Sequence, residues 1–235
     1  MPNNYFQFKQ FRIEQDKCGM KVTTDGCYFG ASFIPYDSGR ILDIGTGTGL
    51  LSLMAAQRTI IPIDAIEINT DAFEQAQTNF SISPWTNQFS IYHISLQEFQ
   101  PYHPYDQIIC NPPFFVKSQA GQSKNKNQAL HADTLSMEDL AFHSSRLMSE
   151  KGELWVMYPE AEMQQFLEVA KNTGFIPHSR FILRNKKDGP VFREIIEFCK
   201  VQRNLKLSSD VYIKKSDGSY SESFIKTLKD FYLHL

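Results

Sequence analysis

The sequence predicts an α/β protein built on one mostly parallel sheet with helices on both faces. Three observations lead there. Short apolar, β-rich runs alternate with helix-like stretches along most of the chain, the order that builds parallel sheets through crossover helices. A glycine-rich turn joins the first core run to a helical segment, and an Asn-Pro-Pro-Phe tetrapeptide ends the fourth. The strand-like runs fall near 41–45, 63–68, 89–94, 105–110, 152–158, 175–183 and 191–198, a seven-stranded sheet. Helix-like stretches at 70–80, 135–149 and 160–172 lie between them. Residues 184–190 are too few for a crossover helix, so the last two strands are expected to pair as an antiparallel C-terminal hairpin.

Ahead of the first core strand, Phe6-Gln7-Phe8-Lys9-Gln10-Phe11 alternates like a strand, and Asp25 is placed to cap a short helix running through Ile34. Ile41-Leu42-Asp43-Ile44-Gly45-Thr46-Gly47-Thr48-Gly49 then brings a β-like run onto three glycines. Glycines at such a turn allow positive φ and let a ligand approach the backbone. Leu50 stands where the dinucleotide fingerprint has its third glycine, which disfavours a pyrophosphate. Asp43 would repel a phosphate and suits a ligand carrying a cation or an amine. S-adenosylmethionine has both, a sulfonium and an α-amino group. Glu67 lies about 20 residues past the glycines at the end of the next strand, the expected place for a carboxylate that binds ribose hydroxyls. An ordinary surface role for Glu67, or a NAD-type site, is the alternative.

Tyr105-Asp106-Gln107-Ile108-Ile109-Cys110 reads as a buried strand and leads into Asn111-Pro112-Pro113-Phe114. The two prolines remove two backbone donors and fix two φ angles, so the chain leaves the sheet rigidly. That rigidity holds the Asn111 side-chain oxygen and a neighbouring carbonyl, that of Pro112, in one small space. Two adjacent acceptors suit an amino group with two N–H donors, and Phe114 offers a stacking face for a planar ring. The tetrapeptide thus reads as a holder for a flat amine or amide awaiting alkylation; the alternative is a strand-ending turn with a packed Phe. Residues 117–133, rich in Ser, Gln, Asn, Lys and Gly, are expected to form a mobile loop.

These pieces, in this order, resemble the class I methyltransferases that carry an Asn-Pro-Pro-aromatic motif. Met20-Lys21-Val22-Thr23-Thr24-Asp25-Gly26 and Phe29-Gly30-Ala31 near the start narrow the resemblance, as do Pro190-Val191-Phe192-Arg193-Glu194, Tyr220-Ser221 and Lys229-Asp230-Phe231-Tyr232-Leu233 near the end. Together they are similar to the bacterial tRNA adenine-N6-methyltransferases that modify the adenosine beside the anticodon of a valine tRNA. The resemblance covers nearly the whole chain. It implies a Rossmann-like methyltransferase fold in one domain, with an extension at 1–38, a catalytic core at 39–200 and a second extension at 201–235. It also implies S-adenosylmethionine as cofactor, held by Lys21, Thr23, Asp43, Gly45, Gly47, Gly49, Glu67, Ser95 and Asn111. Catalysis would fall to Asn111, Pro112 and Phe114, and substrate contact to Phe114, Phe115 and Arg193. Two positions depart from the family pattern. Ser95 stands where an acidic residue is usual, though its hydroxyl can still make a hydrogen bond, and Leu130 stands where an Arg tends to precede the position of His131.

Composition bounds the rest. At 235 residues and 42% hydrophobic, the chain can bury one good core. A net charge of −2 and a pI near 6.3 exclude an indiscriminate nucleic-acid binder, so a structured RNA ligand needs local basic surface. Candidates are Arg180, Arg184, Lys186 and Lys187; Lys200, Arg203 and Lys206; and Lys117, Lys124 and Lys126, each cluster being alternatively a solvated face. Four cysteines without a Cys-x-x-Cys pair and six scattered histidines suggest no zinc site, metal cluster or disulfide framework. Mean hydropathy is −0.35, no apolar run approaches membrane-spanning length, and the polar start is no signal peptide, so a cytoplasmic monomer is expected. Ribosomal-RNA guanine-N2, protein-glutamine N5 and DNA adenine methyltransferases carry the same or similar motifs. They usually need an additional domain for which this chain has little room. A cofactor-binding RNA scaffold would have no need of the intact tetrapeptide.

Overall fold

The computed structural model describes residues 3–113, 135–203 and 208–235. It opens with a small antiparallel hairpin, β1 (Tyr5–Gln7) and β2 (Arg12–Glu14). The alternating 6–11 run is therefore part strand and part turn. Phe8 and Phe11 leave the ladder, stack at 4.5 Å between ring centroids and are both buried. Helix α1 (Thr24–Ser32) follows, and its cap is Thr23 rather than Asp25: the Thr23 hydroxyl accepts from the Gly26 amide at 3.2 Å. Asp25 sits one step inside, in the first turn, where the helix dipole favours a carboxylate.

The core alternates as expected: β3 (Ile41–Ile44), α2 (Leu50–Ala56), β4 (Ile63–Glu67), α3 (Thr70–Ser81), β5 (Phe89–His93), β6 (Tyr105–Cys110), α4 (Met137–Leu147), β7 (Met148–Tyr158), α5 (Glu160–Asn172), β8 (Ile176–Lys186), β9 (Val191–Cys199), β10 (Ser209–Lys214) and α6 (Glu222–Leu228). The strand order is β10-β8-β9-β7-β6-β3-β4-β5, and β9 runs antiparallel to both of its neighbours. The sheet has eight strands, not seven: β10 adds parallel to β8 outside the β8–β9 hairpin. Its apolar stretch is only Val211-Tyr212-Ile213 between Asp210 and Lys214, too brief to register as a strand until an edge is there to receive it.

Period-two alternation sends Ile41, Ile63, Ile109 and Trp155 to one face of the sheet and Leu42, Ile108, Leu154 and Ile196 to the other. The first face is covered by the hairpin, α1, α2, α3 and α6, and the second by α4 and α5. Both chain ends share the first core, with Phe8 and Ile13 packed among Phe29, Phe224 and Tyr232. A Lys9 amide that donates to the Phe231 carbonyl at 2.8 Å ties them further. Each such large apolar side chain stabilises the fold by roughly 1.5–3 kcal/mol. Gly30 lets α1 lie against α2, since a Cβ there would stand 2.5 Å from the Met54 sulfur.

Register then places the site. Ile44 pairs with Ile66 on one side and Cys110 on the other. The residues that follow, Gly45, Glu67 and Asn111, thus emerge next to one another at the carboxyl edge, where open α/β sheets bind ligands. Because β9 runs the other way, its first residues, Val191, Phe192 and Arg193, arrive at that same edge.

Candidate active site

The three glycines all have positive φ, +67° at Gly45, +59° at Gly47 and +82° at Gly49, but they serve different ends. A Cβ on Gly45 or Gly47 would meet nothing within 4 Å, so these two face open space. A Cβ on Gly49 would lie 2.5 Å from the Phe80 ring, so this glycine is there for packing. Asp43 shapes the turn from beneath. Its Oδ2 accepts from the Thr46 and Ser52 hydroxyls, each at 2.7 Å, while its Oδ1 is buried with no hydrogen-bond partner among the described residues. Burial pushes the Asp43 carboxyl up to about 6, against the pull of those two hydroxyls and of the Ser52 amide. A buried carboxylate with an unmet acceptor draws a cation or an N–H donor.

Glu67 closes the other side of the turn. One carboxylate oxygen accepts from the Gly47 amide and the other from the Asn69 amide, both at 2.9 Å. A carboxylate has about four lone-pair positions, so acceptor capacity remains for ligand hydroxyls. Ser95 lies on the segment that follows β5, where the Ile94 amide donates to the Glu67 carbonyl at 3.1 Å. The Ser95 hydroxyl donates to the Glu98 carboxylate, three residues further on, at 2.7 Å. Asn79 escaped the sequence reading. It is fully buried and donates to the carbonyls of Thr48 and Glu14 at 2.8 and 2.9 Å, tying the glycine turn to the hairpin. An amide on an amphipathic helix gives no sequence signal of that kind.

Asn111 follows directly on β6. Its Oδ1 is buried and has no hydrogen-bond partner among the described residues, and the residue forms part of the wall of a cavity of about 710 Å³. That volume is in the range of small-molecule sites, about 300–1,000 Å³. The cavity extends away from the glycine turn, toward the ends of β8, β9 and β10, and its lining includes Thr23, Asp25, Phe192, Arg193 and Tyr220. Arg193 is held in place: its Nε lies 2.8 Å from the Asp25 carboxylate, and its guanidinium carbon is 4.2 Å from the Phe192 ring centroid. Asp25, expected as a cap, is thus the partner of the residue expected to meet substrate. Thr23 reaches the cavity, whereas the Lys21 amine is directed to the Asn3 carbonyl at 3.1 Å. Phe114, Phe115, Leu130, His131 and the 117–133 segment lie outside the described residues.

Several basic candidates hold the fold together. Arg180 pairs with Glu194 at 2.6 Å, Arg184 with Asp210 at 3.0 Å and Arg203 with Glu153, while the Lys200 amine donates to the Ser145 carbonyl at 2.6 Å. Lys186 is different, because it stands at the cavity. Among the described residues no group of three or more His, Cys, Asp and Glu could hold a metal ion, and no helix is long and apolar enough to cross a membrane.

A family model for the methyltransferase small domain matches residues 29–173. The chain is 42% identical to the tRNA1(Val) (adenine(37)-N6)-methyltransferase of Dyadobacter fermentans, an alignment that covers 99% of each chain. It is 38% identical to the protein of the same name from Parabacteroides distasonis, over 100% of each. Among solved structures, a predicted O-methyltransferase from Agrobacterium tumefaciens superposes with a TM-score of 0.67 over 87% of this chain and 95% of that one. Identity in that pair is 13%, so the likeness is one of fold.

Proposed function

This chain belongs to the methyltransferase small domain family, and we propose that it transfers a methyl group from S-adenosylmethionine to the exocyclic N6 of an adenine in tRNA, the adenosine next to the anticodon of a valine tRNA. The observation that carries the reading is the buried, unpartnered Asn111 Oδ1 between the glycine turn and the cavity. The tRNA enzymes to which the chain is similar over its full length support the choice of substrate.

The residues present fit S-adenosylmethionine. Gly45 and Gly47 leave the open space a ligand backbone contact needs, the unmet Asp43 oxygen suits a cationic or amine-bearing group, and Glu67 has acceptors for ribose hydroxyls. When bound, the cofactor supplies an electrophilic methyl on a sulfonium. We assign its binding to Asp43, Gly45, Gly47, Glu67 and the Ser95 segment, with Asn111 at the reacting end, and Gly49, expected among these residues, to the packing of the turn on Phe80. Thr23 we assign to the cavity, and Lys21, whose amine is engaged with Asn3, to the N-terminal fold.

The amino group of adenine is a poor nucleophile because its lone pair is delocalised into the ring. Asn111 Oδ1 and the Pro112 carbonyl accept its two N–H bonds, which draws the nitrogen toward tetrahedral geometry and exposes the lone pair. The same two acceptors stabilise the positive charge that develops on nitrogen, so positioning and fixed dipoles supply most of the rate. Once methylated, N6 is cationic and loses one proton to water. Flipping the base out of its stack costs a few kcal/mol. Phe114, next to the prolines in sequence, is proposed as the stacking partner that returns about 1–3 kcal/mol of it.

We take the whole chain as one domain, because both extensions pack into the first core. We further propose that it works in the cytoplasm as a metal-independent monomer; its four free cysteines support a reducing compartment. The test is methyl transfer from labelled S-adenosylmethionine to unmodified bulk tRNA, with ribosomal RNA and release factors in parallel, followed by digestion to nucleosides. Label in N6-methyladenosine from tRNA alone is expected. Label in guanosine or in protein would move the activity to a related reaction, and no label in any substrate would overturn catalysis.

A further inference from the structure

The parallel register of β10 on β8 sets Lys214 opposite Lys186 at the carboxyl edge of the sheet. Both residues are exposed, and both belong to the cavity of which Asn111 forms part of the wall. Arg184 is paired with Asp210 and Lys215 with Glu222, but Lys186 and Lys214 are in no ion pair among the described residues. Like charges on facing strand positions cost stability, and an anion between them removes that cost. Deeper in the cavity wall, Arg193 is already matched by Asp25, so the uncompensated positive charge is at the rim.

Tyr220 adds an aromatic face to that rim. It is the outer ring of a column, stacked on Phe224 at 4.7 Å and 18°, with Phe224 in turn on Tyr28 at 6.0 Å and 16°. Phe224 and Tyr28 are buried, so Tyr220 is a platform held from behind. The Lys214 amine lies 5.0 Å from its ring centroid. An aromatic ring backed by Phe224, with the Lys214 amine over it and Lys186 at the same rim, matches one nucleotide, the base taking the ring face as Lys214 turns to the phosphate between the two cations. Asn111 and this rim border the same cavity, so a nucleotide at the rim can belong to the strand whose base is presented to Asn111.

We propose that Lys186, Lys214 and Tyr220 form a subsite for a nucleotide flanking the target adenosine, the phosphate bridging the two lysines and the base stacking on Tyr220. The inference rests on the RNA methylation proposed above, and its test separates the two. Binding of labelled unmodified tRNA is measured for the full chain and for Lys186→Gln, Lys214→Gln, the double variant, Tyr220→Phe and Tyr220→Ala, with methyl transfer and thermal melts on the same samples. Each lysine change is expected to lower the salt slope of tRNA binding by about one. Tyr220→Ala is expected to weaken binding about 5- to 150-fold while Tyr220→Phe stays near the parent, the loss appearing in the KM for tRNA rather than that for S-adenosylmethionine. Should Tyr220→Ala fail to fold, the exposed lysine variants carry the test alone. Parental affinity and salt slope in the lysine variants would overturn the subsite, even with adenine methylation intact. Weakened binding in the variants, from a parent that binds tRNA yet methylates no adenine, would keep the subsite and sink the proposed reaction. A parent that does not bind tRNA would overturn both.

Discussion

The two sides of Asn111 are built in different ways. Toward β3 and β4 the site is local: a nine-residue run from Ile41 to Gly49 supplies the open turn and the Asp43 carboxylate, and one further residue, Glu67, closes it through a 2.9 Å bond from the Gly47 amide. Toward β8, β9 and β10 the site is assembled from side chains at 20–25, 185–193 and 213–220, brought together only by strand order. A small ligand can be gripped by backbone and a few carboxylates, which one tight turn provides. A polymer substrate needs a wide, charged and aromatic surface, which several elements must share.

The residue common to both sides should give the largest effect. Asn111→Ala is expected to lower methyl transfer by about a hundredfold to a thousandfold, with S-adenosylmethionine affinity by calorimetry unchanged. Equal loss of both would make Asn111 part of the cofactor cradle alone and erase the division. Asp25→Asn probes the assembled side: it removes the carboxylate that faces the largely buried Arg193 guanidinium and is expected to cost about 3 kcal/mol in urea unfolding. A cost below about 1 kcal/mol would mean that the pair is no more than a surface contact.

Asp43→Asn probes the local side through pH. The Asp43 carboxyl titrates at about 6 in the folded chain against 3.8 as the ordinary value, so the folded state holds the proton more tightly between those two values. This group therefore stabilises the fold less and less as pH rises from 3.8 to 6, and at pH 7 its full ionisation cost is present. The Asn variant is expected to be more stable than the parent by roughly 2–3 kcal/mol at pH 7, with the gap vanishing near pH 4. A gap that does not change with pH would show that Asp43 is not buried as a charge. The smallest contrast is within the turn itself. Gly49→Ala, which meets Phe80, should lose about 2 kcal/mol of stability, whereas Gly45→Ala should lose about 1 kcal/mol and roughly tenfold in cofactor affinity. Thermal melts and calorimetry on both would sink the distinction if the two glycines behaved alike.

What could be read in advance follows the same division. The parallel core, the antiparallel β8–β9 pair, the glycine turn, Glu67 and Asn111 were all legible, because each is announced by a contiguous pattern: apolar runs, three close glycines, two prolines. Asn79, the Asp25–Arg193 pair, β10 and the Lys186–Lys214 juxtaposition were not. Asn79 looks like any amide on a helix face, and Asp25 looked like the cap that Thr23 turned out to be. The bond of the Ser95 hydroxyl to Glu98 at 2.7 Å is likewise made by a turn that spacing alone did not reveal. The basic stretches misled most, since Arg180, Arg184 and Arg203 spend their charge on carboxylates of the fold.

The sequence by itself determined the parallel core, the β8–β9 pair and which residues stand at the carboxyl edge, because hydrophobic period, glycine and proline act over a few neighbouring residues. Only the tertiary structure decided which charges are free. Pairing a cation with a carboxylate depends on which strands lie side by side, and the chain settles that through register across the sheet: Lys214 beside Lys186, and Arg193 within reach of Asp25.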